Sequence, residues 1–313
     1  MKIIFMGTSE FAVPSLRALF ADAVHEVVAV VTQPDRPKGR GNKMAVSPVK
    51  EEALKHDVAI LQPERIKRKA AMAELAAFGA DVFVVASYGQ ILSETILNMP
   101  KYGCINVHAS LLPKYRGASP IQQAVLHGDS VAGVTIQQMD KGVDTGDMLI
   151  KRAIPVALDD TGGSLHDKLA ELGAEILLEI LPMIENGMVV REKQNDADAS
   201  HAPLLTKDMG RIDWSCSPEE IVNLVRAMNP WPMAFMTVGD QSIRILQASA
   251  HEAVDADAKP GTICIASAKQ GLVIAACGGA VRVIELHAQN SKRMRAEDYL
   301  RGHALEVGSV LSN

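Results

Sequence analysis

Apolar residues recur with two different rhythms along this chain, and the places where the rhythm changes mark its elements. Short continuous apolar runs at Lys2–Met6, Val27–Val31, Val58–Leu61, Val82–Ser87 and Cys104–His108 predict buried strands. Between them, Val13–Phe20, Val49–His56, Arg68–Phe78 and Ile121–His127 carry apolar positions at helical spacing. Alternation of this kind predicts a parallel sheet covered on both faces by helices. A longer helix is expected over Thr161–Gly187, where Leu165, Leu169, Leu172, Ile176 and Ile180 step along one face at threes and fours.

The pattern then breaks. Val189–Pro203 is polar and interrupted, with Arg191, Glu192, Lys193, Gln194, Asn195 and Asp196 in succession, and reads as a linker. Beyond a helix at Pro218–Met228, short β-like runs at Ala234–Val238, Ser242–Ala248, Gly261–Ala266, Gly271–Ala276 and Val281–Leu286 predict a small β-barrel. The expected organisation is an α/β, Rossmann-like parallel-sheet domain over residues 1–188, a linker over 189–205 and an OB-like C-terminal barrel over 206–313.

Composition narrows the classes. A chain of 313 residues suits about two domains. It is 48% apolar and 22% charged, and no apolar run approaches the roughly 18 residues that a spanning helix needs. The apolar start, Met1 to Gly7, is too short for a signal peptide and runs directly into Thr8, Ser9 and acidic Glu10, so a cytoplasmic protein is expected. Cys104, Cys216, Cys264 and Cys277 form no C-x-x-C pair for zinc or dithiol chemistry, and free thiols are the expectation. With 32 basic against 37 acidic residues, the net charge of −5 argues against binding a polyanion through the average field and leaves local basic clusters open.

Ligands of open parallel sheets sit at the carboxyl ends of the strands, so the residues that follow each strand carry the functional reading. Gly7-Thr8-Ser9-Glu10-Phe11 follows the first, Thr32-Gln33-Pro34-Asp35 the second and Ser87-Tyr88-Gly89 the fourth. One glycine is no dinucleotide fingerprint, and the first loop reads equally as a tight turn or a ligand contact. Asn106 and His108 close the fifth strand two residues apart, which puts both side chains on one face if the strand persists. An imidazole can exchange a proton near neutral pH, and a carboxamide can donate to an oxygen that becomes negative as a carbonyl turns tetrahedral; together they suit acyl transfer. A lone histidine at a strand end is more often structural. Downstream, Asp140-Lys141-Gly142-Val143-Asp144-Thr145-Gly146-Asp147 fails the calcium-loop pattern, which leaves an acidic partner for His108 as its other reading.

Asn106-Val107-His108-Ala109-Ser110-Leu111-Leu112-Pro113, with Asp144, resembles the folate-dependent formyltransferases. The resemblance extends along nearly the whole chain to those members that act on initiator methionyl-tRNA. Carrying it are Phe5–Phe11, Thr32–Pro37, Gly39-Arg40-Gly41, Ser47–Lys50, Gly210–Trp214 and Asn229-Pro230-Trp231-Pro232. Ser9-Glu10 departs from the usual small residue plus proline and loosens the first motif. The resemblance implies transfer of the formyl group of 10-formyltetrahydrofolate to the methionine amino group of initiator methionyl-tRNA, with no metal. It implies Asn106, His108 and Asp144 as the catalytic trio and Ser110, Leu111, Leu112 and Pro113 as the folate-binding stretch.

The expected partners are folate and initiator tRNA, on a monomer without a membrane anchor. Arg36, Lys38, Arg40 and Lys43 put four cations without an acid into a loop at the ligand edge, and phosphate contact is expected there with Arg40 foremost. A second run at Arg65, Lys67, Arg68 and Lys69 reads as a solvated face. Residues 206–313 hold 11 basic and 12 acidic residues, so any tRNA contact of the barrel must come from one face, for which Lys292, Arg293, Arg295 and Arg301 are candidates. A nicotinamide oxidoreductase would share the sheet but needs the missing glycines. A binding module without chemistry would have no use for the trio, and a glycinamide ribonucleotide enzyme would lack the tail.

Overall fold

The computed structural model describes residues 1–38, 43–289 and 291–311. Its strands and helices in chain order begin with β1 (Lys2–Gly7), α1 (Val13–Ala21), β2 (Glu26–Val31), β3 (Arg36–Lys38), β4 (Lys43–Ala45), α2 (Pro48–Ala53) and β5 (Ala59–Leu61). They continue with α3 (Lys69–Ala77), β6 (Val82–Ala86), α4 (Glu94–Leu97), β7 (Cys104–His108), β8 (Arg116–Gly117), α5 (Pro120–Leu126), β9 (Val131–Gln138), β10 (Met148–Pro155), α6 (Gly162–Glu185) and β11 (His201–Ala202). The tail adds α7 (Pro218–Ala227), β12 (Ala234–Val238), β13 (Gln241–His251), β14 (Ile263–Ser267), β15 (Gly271–Ala276), β16 (Gly279–Ala288), β17 (Met294–Arg295) and α8 (Ala296–Leu300).

Contacts divide the chain into two compact units. One holds Met1–Pro120, Ala132–Ile154 and His166–Ala202; the other holds Ile121–Val131, Pro155–Leu165 and Pro203–Asn313. In the first, seven strands lie in the order β10-β9-β7-β6-β1-β2-β5. The five expected strands pair in parallel from β5 to β7. Residues 3–7 of β1 and all of β6 are buried because helices cover both faces, which is why these strands read as unbroken apolar runs. Ile4, Met6, Val31, Phe83 and Val85 face a core shared with Ile66, Leu75, Ile96 and Cys104. Burial pushes the Cys104 thiol up to about 12, so it behaves as a small apolar side chain.

Beyond the five expected strands, the sheet gains an antiparallel edge. β9 runs antiparallel to β7, pairing Asn106 with Gln137 and His108 with Thr135. Behind β7, Gly173 lets α6 come close: a Cβ there would lie 2.8 Å from Val107 Cγ1. His108 therefore ends a strand packed by a helix and flanked by two neighbours.

Residues 189–202, read from composition as a linker, are hydrogen-bonded to the first unit. Met148 and Glu192 exchange backbone hydrogen bonds of 2.8 and 2.9 Å, and β11 pairs with β8. Polar composition there reflects specific partners rather than slack.

The second unit contains an antiparallel sheet in the order β12-β13-β16-β15-β14, with β17 beside β16. Its core gathers Trp214, Ile221, Val225, Met236, Ile243, Ile274 and Val283. α7 starts on a reciprocal cap between Ser217 and Glu220 with Pro218 in its first turn, and buries Ile221 and Val225 against that sheet. The expected barrel is seen here as an antiparallel sheet, and among the described residues no pairing joins β12 to β14. No helix among the described residues is long and apolar enough to cross a membrane.

Candidate active site

Asn106 and Gln137 stand directly opposite each other on β7 and β9, so their side chains leave the sheet on one face. Both reach the carboxylate of Asp144. Asn106 Nδ2 donates to Asp144 Oδ1 at 3.3 Å and Gln137 Nε2 to the same oxygen at 2.8 Å. The other oxygen, Oδ2, accepts from Gly117 N at 2.9 Å and lies 3.6 Å from His108 Nδ1. His108 is buried, and its Nε2 is 3.0 Å from the Tyr115 carbonyl. Both imidazole nitrogens thus face acceptor oxygens. The expected trio Asn106, His108 and Asp144 is brought together by the end of one strand and a loop 36 residues beyond it.

Asp144 takes a left-handed backbone conformation, φ 54°, which costs a residue with a Cβ about 1–2 kcal/mol. Gly146, two residues on, meets the backbone so closely that a Cβ would fall 1.7 Å from Gln138 O. The loop is therefore pressed against the sheet, and its carboxylate is fixed from several sides.

Ser110–Pro113 leaves the end of β7 on a rigid path. Thr135 Oγ1, fully buried, donates to Ser110 O at 2.7 Å and accepts from Leu112 N at 3.1 Å, while Ser110 Oγ donates to Lys114 O at 2.6 Å. Ser110 and Leu112 are buried and committed to the protein; Leu111 and Pro113 are half-exposed. What the stretch presents outward is an apolar flank. A flat heterocycle fits such a surface better than a charged group does.

At the carboxyl ends of β1, β2 and β6 lies a cavity of about 650 Å³, lined by Thr8, Ser9, Gln33, Arg36, Ser47 and Ser87 among others. Thr8 Oγ1 donates to Tyr88 O at 2.8 Å and Ser9 Oγ to Ser87 Oγ at 2.7 Å, which binds the β1 turn to the β6 turn. The basic loop enters here as the β3–β4 ribbon. Its stem is held by Lys50 Nζ, 2.6 Å from Asp35 and 2.7 Å from Gln62 Oε1. The Lys50 ammonium and the Gln62 amide hold the Asp35 carboxyl below the usual range. Arg36 is exposed; Arg40 and the side chains of Lys38 and Lys43 lie outside the described residues.

Comparison with known proteins decides the family. A formyl transferase model matches residues 1–181, and a model of the formyl transferase C-terminal domain matches residues 204–304. The methionyl-tRNA formyltransferase of Ruminiclostridium cellulolyticum is 45% identical over 312 residues, 99% of each chain. The chain belongs to the methionyl-tRNA formyltransferases. That of Marinobacter nauticus is 46% identical over 302 residues, 96% of each chain. Among solved structures, the sugar 3N-formyl transferase WlaRD shares the fold at 19% identity and a TM-score of 0.67, covering 93% of this chain and 99% of its own. Glycinamide ribonucleotide transformylase 1 from Symbiobacterium toebii, at 23% identity and a TM-score of 0.52, covers 62% of this chain and 94% of its own.

In that tail, the formyltransferase presents one row of outward side chains. Phe235 pairs with Arg244 and Arg244 with His287 across three strands, and Arg211 bridges to Phe235 with its guanidinium 5.2 Å from the ring centroid. Adjacent strands lie about 4.8 Å apart, so the row spans roughly 15 Å. Arg293 and Arg295 are tied to Glu285 and Glu297. Neither Arg211 nor Arg244 has a carboxylate partner among the described residues.

Sequence reasoning about this formyltransferase missed Gln137, Thr135, Arg116 and Gln194. A correct reading of β9 opposite β7 would have found Gln137 and Thr135 by register alone. Nothing local marks Gln194.

Proposed function

We propose that Asn106, His108 and Asp144 carry the formyl transfer of this methionyl-tRNA formyltransferase, from 10-formyltetrahydrofolate to the amino group of initiator methionyl-tRNA. The observation that carries the reading is the convergence of Asn106 and His108 on the one Asp144 carboxylate at the carboxyl edge of the sheet. The folate supplies the formyl group. Asn106 donates through Nδ2 to the formyl oxygen as it gains charge, which matters most in a site closed to water. His108 passes a proton to the departing folate nitrogen. The new C–N bond replaces the old one, and the proton lost by the attacking amine balances the one gained by the leaving nitrogen. Asp144 holds His108 in the orientation this needs.

Leu111 and Pro113 form the flank for the folate ring, with Ser110 and Leu112 fixing that flank from behind. Arg36, Lys38, Arg40 and Lys43 receive phosphates of the acceptor end, with Arg40 the principal contact, and of the four Arg36 lines the cavity. Residues 1–188 then serve as the catalytic domain and 206–313 as the tRNA-docking domain, with 189–205 between them and residues 189–202 bonded to the first unit. Arg211, Phe235 and Arg244 suit that docking role, offering two cations about 10 Å apart, without a carboxylate partner among the described residues, and an aromatic face between them. The proposed trio comes from one chain, so a monomer suffices. The cytoplasm, where thiols stay reduced, suits four free cysteines.

The test is formylation itself. Incubated with 10-formyltetrahydrofolate and charged initiator tRNA, the protein is expected to yield formylmethionyl-tRNA, and Asn106→Ala to do so about 10²-fold more slowly with tRNA affinity retained. Wild-type turnover in a folded Asn106→Ala protein removes the oxyanion role.

A further inference from the structure

The Asp144 carboxylate is gripped by Asn106, Gln137 and Gly117, and its backbone is gripped from another direction. Gln194 Nε2 donates to Asp144 O and to Gly146 O, both at 2.8 Å. Gln194 Oε1 accepts from Arg116 Nε at 2.9 Å. A guanidinium only donates, so the carboxamide oxygen must face Arg116 and the NH2 must face the two carbonyls; the amide has one orientation. Arg116 is buried, its Nη2 donates to Asp196 Oδ1 at 2.8 Å and its backbone N to Ser200 O at 2.8 Å. The polar segment after α6 thus reaches the acidic loop through a single side chain, and that side chain meets the one residue of the trio with a left-handed backbone.

Resting on the trio reading above, we infer that Gln194 is a positioning residue for formyl transfer. By donating to the carbonyls of Asp144 and Gly146 it holds Asp144 in the left-handed turn that sets Oδ2 at 3.6 Å from His108 Nδ1, and Arg116 fixes Gln194 in turn. Gln194 touches neither reacting group. Its effect on the reaction passes through the Asp144 carboxylate, whose misplacement by about 1 Å is enough to slow chemistry substantially.

Gln194→Glu is the decisive variant because it is nearly isosteric. Its carboxylate still accepts from Arg116 but turns an acceptor toward two carbonyls, so the grip on the loop becomes repulsion. The expected result is a fall in kcat of roughly tenfold to a hundredfold, with KM for charged tRNA and for folate within about threefold. A role confined to folding would lower the melting temperature and leave kcat of the folded protein unchanged. Gln194→Met, which removes the donor without burying a charge, is expected to give the same fall in kcat with KM again little changed. In an Asp144→Ala background, Gln194→Glu is expected to add little further loss, because the two act on one element. Normal kcat in folded Gln194→Glu and Gln194→Met, beside a slow Asp144→Ala, would overturn the inference while leaving the trio intact. A fully active Asp144→Ala would remove the trio and this role together.

Discussion

Asp144 in the first unit and Arg211 with Arg244 in the second are charges treated in opposite ways. The carboxylate is mostly buried and accepts from three donors, two of them side chains on neighbouring strands. The two guanidiniums are exposed and have no carboxylate partner among the described residues. A charge wired on every side cannot reorganise, and so can direct a proton or an oxyanion without delay. A charge left in water keeps its counterions until a polyanion displaces them, and contributes affinity that depends on salt. One arrangement suits a chemical step and the other suits docking.

That contrast can be broken from the docking side first. Arg211→Ala combined with Arg244→Ala is expected to weaken charged-tRNA binding by about tenfold or more at moderate salt, leaving kcat at saturating tRNA near normal. Titrations at several salt concentrations are expected to show the slope of log affinity against log salt reduced by roughly two units. An unchanged slope means that the row meets no phosphates.

On the catalytic side, Gly173→Ala probes the support behind β7. A Cβ placed 2.8 Å from Val107 Cγ1 requires the Val107 side chain, or the strand that ends in His108, to shift. Overpacking costs about 1–3 kcal/mol, and replacing a helical glycine returns up to about 1. Denaturant unfolding is expected to give a net loss of about 1 kcal/mol by these magnitudes, with a modest fall in kcat. A gain in stability contradicts the close approach.

The smallest effect lies away from both regions. Glu52 is buried, accepts from Arg17 and Lys55 at 2.8 Å each, and is held by the Arg17 hydrogen bond from an ordinary 4.5 down to about 2. Its folded value is depressed, so its contribution is complete above pH 4.5 and is lost as the pH falls toward 2. Melting curves across that window are expected to show a shallower acid-side decline in Glu52→Gln than in the wild type.

How much of this was legible depends on whether a residue's partner is local. β1, β2, β6 and β7 stood out because strands covered on both faces are continuously apolar, and α6 because its buried face repeats at helical spacing. β9 did not, since Gly133, Thr135 and Gln137 interrupt its apolar run; Thr135 and Gln137 are buried at 0% and 1% exposure, hydrogen-bonded to Ser110 and Leu112 and to Asp144. That Asn106 and His108 share one face was readable from strand periodicity, and their candidacy from the family resemblance. Gln194 was not, because its partners lie 48 and 50 residues away and its neighbours have the composition of a linker.

The central claim is tested most directly by the single-turnover rate of formyl transfer in His108→Ala with saturating 10-formyltetrahydrofolate and charged initiator tRNA. The account predicts a folded protein that binds both substrates and transfers the formyl group about 10²-fold or more slowly than the wild type. A folded His108→Ala protein that transfers at the wild-type rate would contradict it.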